Sequence, residues 1–162
     1  MFKKVIFLKD FLIITFKNLI FKIIYNYKIF VYCKLNKCHI SHISNLTGNL
    51  ERIKVGAGTV INSYANFRFK NGKISIGKNC LFGQNVTIIT NTYNIIKGQN
   101  ISINNMYSKD VIIGDNVWIG VNVVIMPGFQ IGNNSIIGSS SVVTKNVPSD
   151  EIWGGVPARK IK

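Results

Sequence analysis

Over residues 55–148 the chain repeats every six residues. The first block reads "VGAGTV", "INSYAN" and, after an irregular stretch at 67–75, "IGKNCL", "FGQNVT" and "IITNTY". The rhythm then breaks and resumes as "IGDNVW", "IGVNVV", "IMPGFQ", "IGNNSI", "IGSSSV" and "VTKNVP". Position one is Ile, Val or Phe, position two is usually Gly, and position five is small or β-branched, as at Thr59, Ala65, Cys80, Val86, Val123, Ser135 and Ser141. A period of six fits neither the 3.6 of a helix nor the alternation of a long open strand. It fits a solenoid of flat strands two to three residues long, with three hexads closing one triangular coil. A large aliphatic side chain then enters the prism once per side, and a small one fits the pinched corner. The Gly residues and the pairs "KN", "DN" and "NN" are expected to supply turns that need positive φ. Stacking aligns the aliphatic side chains into one column, so repeats that cannot stand alone stabilise one another. The predicted fold class is mainly β, a parallel β-helix.

The first third of the chain is different. Residues 2–32 are apolar with punctuating charge, and no run approaches the roughly 18 uncharged apolar residues of a simple membrane span. Lys9 and Asp10 interrupt any signal-peptide core, and no small-residue cleavage site follows. On a helical projection Lys3, Lys4, Lys17, Asn18, Lys22, Asn26 and Lys28 crowd one side, opposite Val5, Leu12, Phe16, Ile20, Ile23, Tyr27 and Phe30. Such a basic amphipathic helix can lie in the headgroup region of an anionic membrane, or it can pack on the protein or a neighbouring subunit. The expected organisation is a helical extension over 1–45 and a β-helix over 46–162, with an excursion loop at about 94–110.

Net charge is +14 and the isoelectric point is near 9.9. Nucleic acid, an anionic membrane and a phosphate-bearing ligand are the partners such an excess suits, and a general bias toward Lys and Asn would produce it without a partner. No nucleic-acid recognition motif is present, so no nucleic-acid partner is expected. Cys33, Cys38 and Cys80 make an odd number at unrelated spacings. That is no disulfide framework and suits a reducing, cytoplasmic compartment, with peripheral placement at the inner face of the membrane if the helix binds lipid. Cys33 and Cys38 sit near His39 and His42, but their spacing matches none of the usual zinc patterns, and no metal is expected.

The segments "VIIGDNVWIG", "IGNNSIIGSSSVVTKNVP" and "GGVPARKIK" closely resemble the hexapeptide-repeat acyltransferases, in the branch of maltose, galactoside and polysaccharide O-acetyltransferases. The resemblance covers residues 55–162. It implies a left-handed β-helix, an exception to the usual right-handed crossover, and a homotrimer with active sites in the clefts between adjacent subunits. It implies acetyl-CoA as co-substrate along the C-terminal coils. The matching positions are Trp118 and Gly120 in "VWIG", and Ser139 where the family usually has Ala. Thr144 and Lys145 match "VTK", and Arg159 and Lys162 match the basic residues after "GVPA". Cations suit that ligand because CoA carries several negative charges.

The resemblance also implies that the break in the repeat is an extended loop covering the acceptor site of a neighbouring subunit, with "MYS" at 106–108 on it. The family's catalytic histidine, just before that loop, falls on Tyr93 in an ungapped match of "VTIIT". A histidine titrates near working pH and can take a proton from an attacking hydroxyl. A tyrosine with an ordinary pKa near 10 is ionised to only about one part in a thousand at neutral pH. Three readings stay open: slow transfer by positioning alone, an amine acceptor that needs less help, or a fold that binds CoA without catalysis. Recruitment of His39 or His42 is a fourth, across a long sequence distance. The implied function is acetyl transfer to a saccharide acceptor, most simply to a hydroxyl; the alternative is a catalytically impaired trimeric CoA-binding or scaffold protein. Acceptor contacts are expected from Asn62, Tyr64, Asn66 and Arg68 in the irregular stretch and from Met106 on the loop.

Overall fold

The structure, a computed structural model, describes residues 20, 23–41, 44–98, 100, 102 and 105–162. The chain divides into two compact units, Met1–Leu35 and Asn36–Lys162. In the first, residues 23–36 are helical, and Ile20, Ile23, Tyr27 and Phe30 of the expected apolar side are all exposed, as is Ile24. Of the expected polar side, Lys28 is exposed and Asn26 half-buried, while Val5, Leu12, Phe16, Lys3, Lys4, Lys17, Asn18 and Lys22 lie outside the described residues. No described helix is long and apolar enough to cross a membrane.

The second unit is a parallel β-helix with three faces. One face stacks β1 (His39–Ile40), β4 (Val60–Ile61), β7 (Leu81–Phe82), β12 (Trp118–Ile119), β15 (Ile136–Ile137) and β17 (Ile152–Gly154), and β18 (Arg159–Lys160) folds back antiparallel on its edge. The second face stacks β2 (Asn45–Gly48), β5 (Asn66–Phe69), β8 (Thr87–Ile89), β13 (Val124–Ile125) and β16 (Val142–Val143). The third stacks β3 (Ile53–Val55), β6 (Ile74–Ile76), β11 (Val111–Ile113) and β14 (Gln130–Ile131). The prism begins earlier than the legible repeat, because β1 pairs in register with β4. His39, Val60 and Leu81 step by 21 residues along the first face, whereas Trp118 to Ile136 steps by 18. The three extra residues per early coil widen the corner that leaves the second face, after β2 in the first coil, where Leu50–Arg52 form a 3-10 turn, and after β5 in the second.

The residues at position one form the core. Val55, Ile61, Ile76, Phe82, Ile88, Ile113, Ile119, Ile125, Ile131, Ile137 and Val143 are all 5% exposed or less. Each such side chain contributes about 1.5–3 kcal/mol of apolar burial, before the entropy of ordering it is counted. Phe67 and Phe82 meet edge to face with centroids 6.1 Å apart. Position five is buried at the corners, and its polar members satisfy carbonyls there. Thr59 Oγ1 donates to Gly77 O at 2.7 Å, Ser135 Oγ to Pro148 O at 2.8 Å, and Cys80 Sγ to Gly114 O at 3.1 Å. Burial pushes the Cys80 thiol pKa up, so this cysteine is a neutral packing residue.

Positive φ falls at position four, on Gly58, Tyr64, Asn79, Asn85, Asn116, Asn122, Gly128, Asn134 and Ser140, and not on the glycines of position two. Those glycines are needed for a different reason. A Cβ on Gly56 would lie 2.6 Å from the backbone carbonyl of Gly77 in the next coil, and one on Gly83 would lie 2.7 Å from the Val121 nitrogen. Position two is where adjacent coils touch. The asparagines at position four add a second tie, since Asn116 Nδ2 donates to Asn134 Oδ1 at 3.1 Å and Asn134 Nδ2 to Asp150 Oδ1 at 2.8 Å.

Candidate functional site

The coil that carries β8 does not turn directly into β11. At buried Thr90 the chain leaves the prism, and at Lys109 it returns. The neck is closed by Lys109 N donating to Thr90 O at 2.8 Å, while Thr90 N donates to Arg68 O at 2.9 Å. Between them β9 (Asn91–Tyr93) and β10 (Met106–Ser108) pair antiparallel, with Tyr93 opposite Met106 and Asn91 opposite Ser108. Because the neck is closed, β11 resumes in register with β6 as though nothing had been inserted. Leu81 to Trp118 therefore spans 37 residues where the next coil spans 18. The arm begins before the expected bound of 94, so Tyr93 stands on the arm itself and not at the end of a coil.

Under the arm lies an open cleft of about 370 Å³, within the roughly 300–1,000 Å³ typical of small-molecule sites. Its floor is the outward row Thr47, Arg68 and Ile89, which are in register across β2, β5 and β8, with Lys70 beside them. Its wall is Asn91, Tyr93 and Met106 from the arm. Tyr93 is 45% exposed. Asn91 is held in place, its Oδ1 accepting from Thr90 Oγ1 at 2.9 Å and its Nδ2 donating to Met106 Sδ at 3.6 Å.

The structure thus brings together Tyr93, Arg68 and Met106, three of the residues expected from sequence. Asn62, Tyr64 and Asn66 do not line this cleft. Asn62 Nδ2 donates to Phe82 O at 2.9 Å and braces a corner. Tyr64 occupies a left-handed corner at φ 64°, where the other coils place Asn, Gly or Ser. Asn66 faces outward on the second face, its Oδ1 buried without a hydrogen-bond partner. Thr47, Lys70, Ile89 and Asn91 were not legible as site residues from sequence. The signal that finds them is the 21-residue step, which stacks Thr47, Arg68 and Ile89.

The residues matched to a CoA site lie on the last coils. Trp118 faces outward on the first face, 53% exposed, in register with Leu81 and Ile136. Gly120 is buried at the following corner, and a Cβ there would lie 2.6 Å from the Ser139 nitrogen. Ser139 Oγ accepts from Val121 N at 3.2 Å, so its hydroxyl holds two coils together. Thr144 and Lys145 follow β16. Arg159 pairs with Gly154, and Ile152 N donates to Lys162 O at 2.9 Å, which binds the C-terminal strand to β17. Lys160 is occupied by Glu151 at 2.7 Å, and Trp153 Nε1 donates to the other carboxylate oxygen at 2.7 Å. Lys160 first and Trp153 second hold the Glu151 carboxyl below its ordinary pKa. Among the described residues Lys145, Arg159 and Lys162 are exposed cations with no carboxylate partner. Exposed cations and an exposed indole are groups that suit a polyphosphate ligand such as CoA, whereas Gly120 and Ser139 hold two coils together.

His39 is exposed on β1, and Cys33 and Cys38 are half-buried and form no disulfide; His42 lies outside the described residues. Among the described residues no cluster of His, Cys, Asp and Glu could hold a metal ion.

Two family models match the chain: "Bacterial transferase hexapeptide (six repeats)" over residues 110–145 and "Hexapeptide repeat of succinyl-transferase" over residues 73–100. A galactoside O-acetyltransferase of Escherichia coli strain K12 is 42% identical over 104 residues, covering 62% of this chain and 51% of that protein. Among solved structures, a galactoside acetyltransferase in complex with coenzyme A superposes with a TM-score of 0.65 at 31% identity, covering 80% of this chain and 66% of that one. A maltose O-acetyltransferase from Clostridium difficile 630 gives a TM-score of 0.62 at 37% identity, with coverages of 77% and 65%. The chain spans about half the length of the curated relatives it matches. By repeat and fold the chain is a left-handed parallel β-helix of hexapeptide repeats, and the proteins it is similar to include maltose and galactoside O-acetyltransferases.

Proposed function

We propose that this protein is an acetyltransferase that moves an acetyl group from acetyl-CoA to a hydroxyl of a saccharide or polysaccharide precursor, working as a homotrimer. The observation that carries this reading is the arm closed at Thr90 and Lys109, which builds a cleft holding Tyr93, Arg68 and Met106, residues that the resemblance assigns to the acceptor side. Acetyl-CoA supplies an activated thioester. Lys145, Arg159 and Lys162 attract its phosphates, and Trp118 offers an apolar edge. In the cleft, Arg68, Lys70 and Thr47 hold the acceptor, and Tyr93 offers a hydroxyl beside it. The trimer is supported by apolar side chains that one chain leaves exposed on its outer faces: Leu81 and Trp118 on the first, Ile112 on the third.

Calorimetry with CoA tests the donor side. Lys145→Ala and Arg159→Ala should each weaken CoA binding without unfolding the protein, and unchanged affinity in both would remove these residues from the site.

A second reading is favoured by one observation, Tyr93 on the arm where the family's histidine would stand: a trimer that binds CoA but transfers slowly or not at all. The exposed apolar side of the helix at Ile20, Ile23, Ile24, Tyr27 and Phe30 supports a further proposal, peripheral attachment at the cytoplasmic face of an anionic membrane.

A further inference from the structure

The cleft under the arm has a charge that neither the repeat nor the core requires. Arg68 points outward from β5 and Lys70 stands just past its end, and both line the cleft. Both are exposed. The chain's six acidic residues are Asp10, Glu51, Asp110, Asp115, Asp150 and Glu151. None of them is in β2, β5 or β8, and none is in the arm between Thr90 and Lys109. Asp110, the closest in sequence to the arm, is occupied as an acceptor from Lys73 N at 2.8 Å. The cleft therefore presents two cations with no carboxylate in its lining, and the two lie within one Debye length of any ligand seated there.

We infer that the cleft takes an acceptor saccharide bearing a carboxylate or a phosphate. This rests on the transferase reading of the same cleft. The planar guanidinium of Arg68 can grip either group through two parallel N–H bonds, and the ammonium of Lys70 adds a point charge beside it. Ile89 and Met106 give an apolar surface for the C–H face of a sugar ring. The CoA phosphates are a poor alternative occupant, since the cations matched to them stand on the last coils, whereas Thr47, Arg68 and Ile89 belong to the first three.

The test is acetyl transfer to matched acceptors: galactose against galacturonic acid, N-acetylmannosamine against N-acetylneuraminic acid, glucose against glucose 6-phosphate. The acidic member of at least one pair should show kcat/KM about tenfold above its neutral partner at low salt, and the preference should shrink as potassium chloride rises. Success with the uronic or sialic acid alone identifies a carboxylate, and success with the sugar phosphate alone identifies a phosphate. Arg68→Gln and Lys70→Gln should each lower kcat/KM for the acidic member about tenfold while leaving CoA affinity unchanged. Equal kcat/KM within every pair, a preference insensitive to salt, or a loss of CoA affinity in these variants would overturn the inference. If no acceptor is acetylated, ligand-observed NMR without acetyl-CoA separates the two claims. Binding of the acidic sugar alone, lost in both variants, sustains the charged cleft while the transferase reading fails, and no difference between acid and neutral sugar refutes the charged cleft itself.

Discussion

Tyr93 is set by the arm and not by a coil, which decides what its substitution should do. It faces Met106 across the antiparallel pair and is half exposed, so the backbone does not depend on its side chain. If proton removal is all that the site lacks, Tyr93→His should raise acetyl transfer by roughly 10²–10⁴, the usual contribution of a general base. Tyr93→Phe should change the rate little if the hydroxyl moves no proton. The reverse pattern, with Tyr93→Phe inactive and Tyr93→His no faster, would show a tyrosine adapted to its own reaction. At this scale the sequence was partly legible. Arg68 and Met106 were found from the irregular stretch and from "MYS", but Thr47 and Lys70 were not, because early corners of uneven length hide the step that stacks Thr47 on Arg68.

At the scale of the coil, the glycines of position two make a sharp prediction. Gly56→Ala places a methyl 2.6 Å from the neighbouring coil's backbone, which cannot withdraw. A cost of about 1–3 kcal/mol is expected, the usual range for overpacking. That corresponds to a fall in Tm of roughly 2–4 °C per kcal/mol for a chain of this size. Gly138→Ala, whose Cβ would meet nothing nearer than 3.5 Å, should be close to neutral. Equal losses in both would mean that the glycines act through backbone freedom after all. The repeat showed where glycine occurs but not why, since contact between coils is invisible until they are stacked. The C-terminal clasp depends on pH in a defined direction. Because Lys160 and Trp153 lower the Glu151 pKa, its contribution is present above the ordinary carboxylate range and lost as pH falls through the lowered value. Acidification should shift Trp153 fluorescence, and Glu151→Gln should show that shift already at neutral pH and lose the acid response.

On the scale of the whole molecule, the repeat made the β-helix legible because one aliphatic residue per side is a strict demand of the prism. The first coil escaped notice, since β1 and β2 show their role only through pairing with β4 and β5. Residues 1–32 should give salt-sensitive binding to anionic liposomes that disappears when they are deleted. Equal binding to neutral liposomes would remove the electrostatic part of that proposal. The most direct test of the central claim is to incubate the intact protein with acetyl-CoA and a panel of saccharides, following free CoA thiol and the acetylated sugar by mass spectrometry. The account predicts acceptor-dependent thiol release matched by an equal amount of acetylated saccharide, slow in the wild type and faster in Tyr93→His. Tight CoA binding with no acceptor-dependent release from either protein would contradict it.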